Sequence, residues 1–205
     1  MVMEEGAAHP GVVVPFVGVH PSEARSGLDF TWLRGSLEGA AGLGEVGLDP
    51  KYSEVGPKGP QLACFRAQVE AASKLRKPLQ VHSRGAERAC FDLLGEYDLE
   101  AVLMHWFQDE ESAPVVFERG YYVSFGPSLL YSKKTQRIAR KAGEPLSLAE
   151  SDSPVPFAPL GGTHGPSLVP SIAFKLAEIW KTSFEEAAET LAENAERFSG
   201  VHEKG

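Results

Sequence analysis

The feature that most constrains this chain is an alternation. Six short apolar runs fall at residues 12–20, 43–48, 79–82, 101–105, 121–125 and 146–151, and helical stretches lie between them. The clearest helix covers residues 61–77, where Leu62, Phe65, Val69 and Ala72 recur at helical spacing and Pro78 stops the run. Further helices are expected within residues 22–39 and at residues 86–97, 113–119 and 133–142. Strands joined through helical crossovers pair in parallel, so the pattern predicts a parallel α/β architecture, an open sheet or a barrel, in one domain over residues 1–205.

The ends of the chain fit that reading. Residues 1–9 read as the tail of a helix, closed by Pro10 and Gly11. A long loop rich in Pro and Gly covers residues 154–166. Two helices follow it. The first carries a stripe of Leu168, Ile172, Leu176 and Ile179. The second opens on a Ser183/Glu186 capping box, turns Ala187, Leu191, Ala195 and Phe198 inward and ends at Gly200.

The chemistry sits at the ends of the strands. In Gly42 to Pro50 a single carboxylate, Glu45, lies in an apolar run between glycines, where burial is costly unless the group is paired or binds a cation. Two later runs finish on His82 and His105, and another runs into Glu150 and Asp152. Metal-competent side chains at successive strand ends point to a metal site at one mouth of a parallel sheet, the position of functional groups in a parallel barrel. Arg84 follows His82 and is placed to contact a phosphate. His164 precedes a helix N-terminus, a position suited to an anion. His20 is read as a mouth residue fixed by Pro21, with no ligand role.

Composition removes other classes. A formal net charge of −8 over 205 residues argues against a protein that coats nucleic acid through a basic face, though not against one that grips phosphate through cations. Neither G-x-G-x-x-G nor G-x-x-x-x-G-K-[ST] occurs, so the nucleotide-cradling folds lose support. No apolar run is long enough to span a membrane. Cys64 and Cys90 make no disulfide framework, and the expectation is a cytoplasmic protein.

Six segments in order also carry a family resemblance. They are Gly18-Val19-His20-Pro21, Gly44-Glu45-Val46-Gly47-Leu48-Asp49, Val81-His82-Ser83-Arg84, Met104-His105-Trp106-Phe107, Glu150-Ser151-Asp152-Ser153-Pro154 and Glu193-Asn194-Ala195-Glu196-Arg197-Phe198. Together they resemble the TatD-type metal-dependent hydrolases across residues 9–200. The resemblance implies a TIM-type (β/α) barrel and hydrolysis of phosphodiester bonds, typically of DNA in an exonuclease-like way. Some members of the family cleave ester bonds on charged tRNA instead. It also implies that Glu45, His82, His105 and Asp152 bind divalent metal (Zn²⁺, Mn²⁺ or Mg²⁺), with Glu45 bridging two ions, and that Asp152 orients or deprotonates the attacking water.

The departures from the family are specific. The family's first strand carries His-x-His, and no His-x-His occurs here; six strands are found where a barrel has eight. Gly85 follows Arg84 where the family has Asp, Gln108-Asp109 replaces Ser-Gly, Ser151 stands for Thr, and Gly162-Thr163-His164-Gly165 replaces Arg-Asn-Glu. The expectations are a barrel lacking its N-terminal strands and a reduced metal complement. Weakened catalysis, or a catalytically impaired remnant kept as an interaction module, would follow. The uncovered edge at residues 12–20 is expected to draw a second copy into a homo-oligomer.

Overall fold

Strand pairing in the computed structural model, which describes residues 2–53, 59–157, 161–163 and 165–201, follows the alternation in the sequence. The chain divides into two units, residues 1–104 with 196–205, and residues 105–195.

In the first unit four parallel strands neighbour one another in chain order: β1 (Phe16–Val17), β2 (Gly42–Gly47), β3 (Leu79–His82) and β4 (Val102–Met104). Phe16 pairs with Gly42, Leu43 with Leu79, and Leu79 with Val102. The helices are α1 (Val2–Ala8), α2 (Thr31–Leu37), α3 (Pro60–Leu75) and α4 (Glu87–Leu94). Leu43, Val46, Leu79, Val81, Phe65, Val69, Ala72, Cys90 and Leu94 are fully buried. The apolar face of α3, both faces of β2 and the Leu79/Val81 face of β3 therefore make the core. The helix α3 stops at Arg76, which takes a left-handed conformation (φ 51°) and closes the last turn on Ala72 and Ser73, two residues before Pro78.

The second unit holds α5 (Ala113–Glu118), β5 (Tyr122–Phe125), α6 (Lys133–Ala142), β6 (Ser147–Ala149) and α7 (Val169–Trp180). The strands β5 and β6 are parallel, with Val123 opposite Ser147 and Phe125 opposite Ala149. The loop after β6 contains a small antiparallel pair, β7 (Pro156–Phe157) and β8 (Gly162–Thr163), which the sequence pattern did not predict. The last helix, α8 (Phe184–Ser199), begins with the expected capping box: the Ser183 amide donates to Glu186 Oε2 at 2.9 Å and the Glu186 amide to Ser183 Oγ at 3.2 Å.

The first strand is much shorter than expected. The Val12 and Val13 amides both turn back to the carbonyl of His9 (3.1 and 3.0 Å), and Pro15 has no amide to give a ladder. Only Phe16 and Val17 remain to pair with β2. Phe16 also stacks on Phe198, ring centroids 5.5 Å apart. The edge available to pair with a second copy is shortened accordingly.

Candidate metal centre

Two fully buried glutamines on α3 set the positions of the first unit's functional residues. Gln61 and Gln68 are seven apart, so they project from one helix face. The Gln68 side chain accepts from the Val19 amide at 2.6 Å and donates to the Val19 carbonyl at 3.1 Å, as a neighbouring strand would. Gln61 repeats the arrangement on Asp49, accepting from its amide at 2.7 Å and donating to its carbonyl at 2.8 Å. The backbone just past β1 and β2 is thus held by side chains where the strand ladders end. His20 follows Val19, and Asp49 ends the Glu45 segment.

Close approach of β2 to β3 depends on Gly47. Its φ is 144°, and a Cβ there would lie 1.9 Å from the His82 carbonyl oxygen, which accepts from the Leu48 amide at 3.0 Å. With the strands this close, Glu45 and His82 face each other. Glu45 Oε2 lies 3.4 Å from His82 Nδ1 and 3.8 Å from His20 Nε2, and the three donor atoms lie within 4.8 Å of one another. Donors bound at about 2.0–2.1 Å around one tetrahedral cation sit about 3.3 Å apart, so this spacing fits a cation better than a direct hydrogen bond.

The other nitrogen of His82 is engaged: Nε2 lies 2.8 Å from Asp49 Oδ2. Asp49 is buried and also receives the Lys51 amide (2.9 Å) and the Arg84 guanidinium (2.6 Å). Burial raises the Asp49 pKa, but these donors together hold it below the ordinary carboxylate value. Burial likewise pulls Arg84 down, and the Asp49 carboxylate more than reverses this. An ionised Asp49 accepting Nε2–H keeps the His82 Nδ1 lone pair turned toward Glu45, the outer-shell arrangement of a metal-binding histidine. Arg84, half-exposed, lies over the Tyr52 ring at 5.5 Å.

The second unit contains the same construction. His105 is buried, its Nδ1 is 2.8 Å from Glu150 Oε2, and its Nε2 is 3.6 Å from Asp152 Oδ1. The flanking backbone is unusual: Trp106 (φ 42°) and Asp152 (φ 51°) both take left-handed conformations, a cost that clusters at functional sites. Trp106 is secured by its amide on Ser124 Oγ (3.0 Å) and its indole on Ser128 Oγ (3.1 Å). Glu150 Oε1 is buried with no hydrogen-bond partner among the described residues.

The residues singled out in the sequence therefore fall in two groups, Glu45 with His82 and Arg84 in the first unit, and His105 with Asp152 in the second. His164 lies outside the described residues. Sequence reasoning read His20 as a mouth residue without a ligand role, noted Glu150 only as a strand-end carboxylate, and gave no role to Asp49, Gln61 or Gln68. The available signals were a Gly-x-His-Pro turn, the other carboxylate in each acidic motif, and two amides on the apolar face of a helix. The imidazole and carboxylate donors suit Zn²⁺ or another first-row divalent cation and fit a metal-dependent site.

Comparison with known proteins agrees with this chemistry. The family described as TatD related DNase matches residues 1–200. The uncharacterized metal-dependent hydrolase YabD of Bacillus subtilis is 31% identical, over 91% of this chain and 77% of its own. The deoxyribonuclease TATDN3 of Homo sapiens is 29% identical, over 95% of this chain and 77% of its own. Among solved structures, the TatD homologue YJJV from Escherichia coli superimposes with a TM-score of 0.84 at 23% identity, covering 98% of this chain and 82% of that one. A TatD family hydrolase from Entamoeba histolytica gives 0.79 at 19% identity, covering 96% and 78%. At these identities the likeness is one of fold: an α/β barrel of the TIM type, of which the described residues supply six parallel strands.

Proposed function

This chain belongs to the TatD-related DNase family and is a metal-dependent hydrolase, and from that premise we propose that it cleaves phosphodiester bonds in DNA. The observation that carries the reading is the repeated carboxylate–histidine–carboxylate arrangement. His82 rests one nitrogen on Asp49 and turns the other toward Glu45, and His105 rests one on Glu150 and turns the other toward Asp152, at 3.4 and 3.6 Å. Glu45 and His82, and His105 with Asp152, are the residues that would hold divalent cations. A bound divalent cation would lower the pKa of water toward neutrality and offset charge on the phosphoryl oxygens.

The chain's own groups supply the rest. Asp152 Oδ1 takes the proton of the attacking water, which adds its oxygen to phosphorus while the P–O bond to one sugar breaks, and the departing oxygen takes up a proton from solvent. Arg84, held in place by Asp49, offers its remaining N–H groups to a non-bridging phosphate oxygen. DNA as the substrate is supported by the name of the human relative.

The test is release of nucleotides from end-labelled DNA in the presence of Mn²⁺. Asp152→Asn is expected to slow hydrolysis by roughly 10²–10⁴-fold with the fold retained. Arg84→Ala is expected to act mainly on KM. Hydrolysis indifferent to both Asp152→Asn and chelation would refute the mechanism, and a pure chain with no hydrolysis would identify an impaired relative.

A further inference from the structure

We propose that Trp106 and Gln108 form a nucleobase subsite beside His105 in the second unit, both side chains being held by the buried hydroxyl of Ser128. The inference rests on the phosphodiesterase reading above and names the part of the substrate that these residues take. The mechanism uses neither of them. Gln108 also departs from the Ser-Gly that the family carries here, so the subsite is a property of this chain.

The buried support is the first observation. Ser128 is 2% exposed, and its Oγ receives two donors, the Trp106 indole N–H at 3.1 Å and the Gln108 side-chain amide at 3.2 Å. The Trp106 backbone amide donates to a second buried hydroxyl, Ser124 Oγ, at 3.0 Å, and so helps to hold its left-handed φ of 42°. Two residues beyond Gln108, Glu110 receives the Arg137 guanidinium at 2.8 Å, so the loop is tied on both sides of Gln108. Gln108 itself is exposed. Glutamine is among the side chains that lose most rotamer freedom when fixed, and an exposed one gains nothing from burial in return. Its tether therefore points to a task at the surface of the loop.

The chemistry of the two side chains is the second. One bond to Ser128 leaves the Gln108 amide an N–H donor and an acceptor lone pair, whichever end it uses, and no other hydrogen bond takes them among the described residues. A non-bridging phosphate oxygen only accepts. A nucleobase edge offers a donor and an acceptor side by side, the pairing that glutamine makes with adenine. Trp106 is half-buried and supplies an aromatic ring of the kind on which bases stack. That ring meets His105 edge-on with centroids 6.4 Å apart, so a phosphate held at His105 brings its own nucleoside alongside the indole.

Two measurements on the full chain decide the matter. The first compares, with Mn²⁺, single-stranded DNA ending in ordinary nucleotides with the same strand carrying an abasic tetrahydrofuran residue at each end. The wild type is expected to favour the ordinary ends by at least about 10-fold in kcat/KM. Gln108→Leu should lose about 5–10-fold on the ordinary ends, through KM, and nothing on the abasic ones. An equal loss on both strands, the mark of a purely structural tether, overturns the proposal, and so does no loss on either. The second measurement needs no turnover. Titration with dAMP should quench the indole fluorescence of the wild type but not of Trp106→Phe, and deoxyribose 5-phosphate should quench neither. Quenching that is absent from the wild type, or equal in Trp106→Phe, overturns the proposal and leaves the phosphodiesterase reading intact. A wild type that hydrolyses neither strand removes that reading, and the fluorescence titration then decides the base subsite alone.

Discussion

Replacing Gln68 by Met removes one amide and tests how the first unit is held together. Met keeps the length and most of the volume of Gln but has no donor and only a weak acceptor. The Val19 amide and carbonyl, on a residue only 7% exposed, would then lose partners at 2.6 and 3.1 Å. Each buried group left unpaired costs about 1–3 kcal/mol, so the two together cost about 2–6 kcal/mol. Burying a thioether in place of an amide returns about 1 kcal/mol, leaving a net loss of about 1–5 kcal/mol. In a chain of 205 residues each kcal/mol moves Tm by about 2–4 °C, so a fall of roughly 2–20 °C is expected. Urea and thermal unfolding measure it, with Gln68→Glu as a comparison that retains the acceptor but not the amide donor. A variant as stable as wild type would refute the view that this amide replaces a strand partner.

Other predictions follow from single contacts. Gly47→Ala places a Cβ 1.9 Å from a backbone oxygen at φ 144°, and should destabilise by more than about 3 kcal/mol or give no soluble chain, read by urea unfolding. The hydrogen bonds from Arg137, aided by Lys141, outweigh desolvation and hold the Glu110 carboxyl down to about 2. Since the folded value is depressed, its stabilising contribution is complete above the unfolded value of about 4.3 and is lost as pH falls through about 2. A carboxyl titration followed by NMR should show Glu110 near 2 in wild type and near the ordinary value in Arg137→Ala; an ordinary value in wild type would contradict the pairing.

The fold was legible because hydrophobic periodicity reports which face each segment buries. The residues 61–77 helix and the five later strands appear close to where the pattern put them. Strand β1 was overcalled because periodicity does not show where amides go, and Val12 and Val13 spend theirs closing the turn at His9. Among the candidate ligands, Glu45, His82, His105 and Asp152 stood out because each is a polar group in or near the end of an apolar run. His20 was harder to read, since its neighbours in the site come from residues 25 and 62 positions away. The glutamines were invisible for a related reason: an amide on an apolar helix face becomes intelligible only when the backbone it pairs with is known, here Val19 and Asp49.

The most direct test of the central claim is anomalous diffraction at the zinc edge from crystals of the full chain reconstituted with Zn²⁺. The account predicts a peak about 2.0–2.2 Å from a Glu45 carboxylate oxygen and about 2.0–2.1 Å from His82 Nδ1, with Asp49 still on His82 Nε2. A map with no peak at Glu45 and His82 would contradict it.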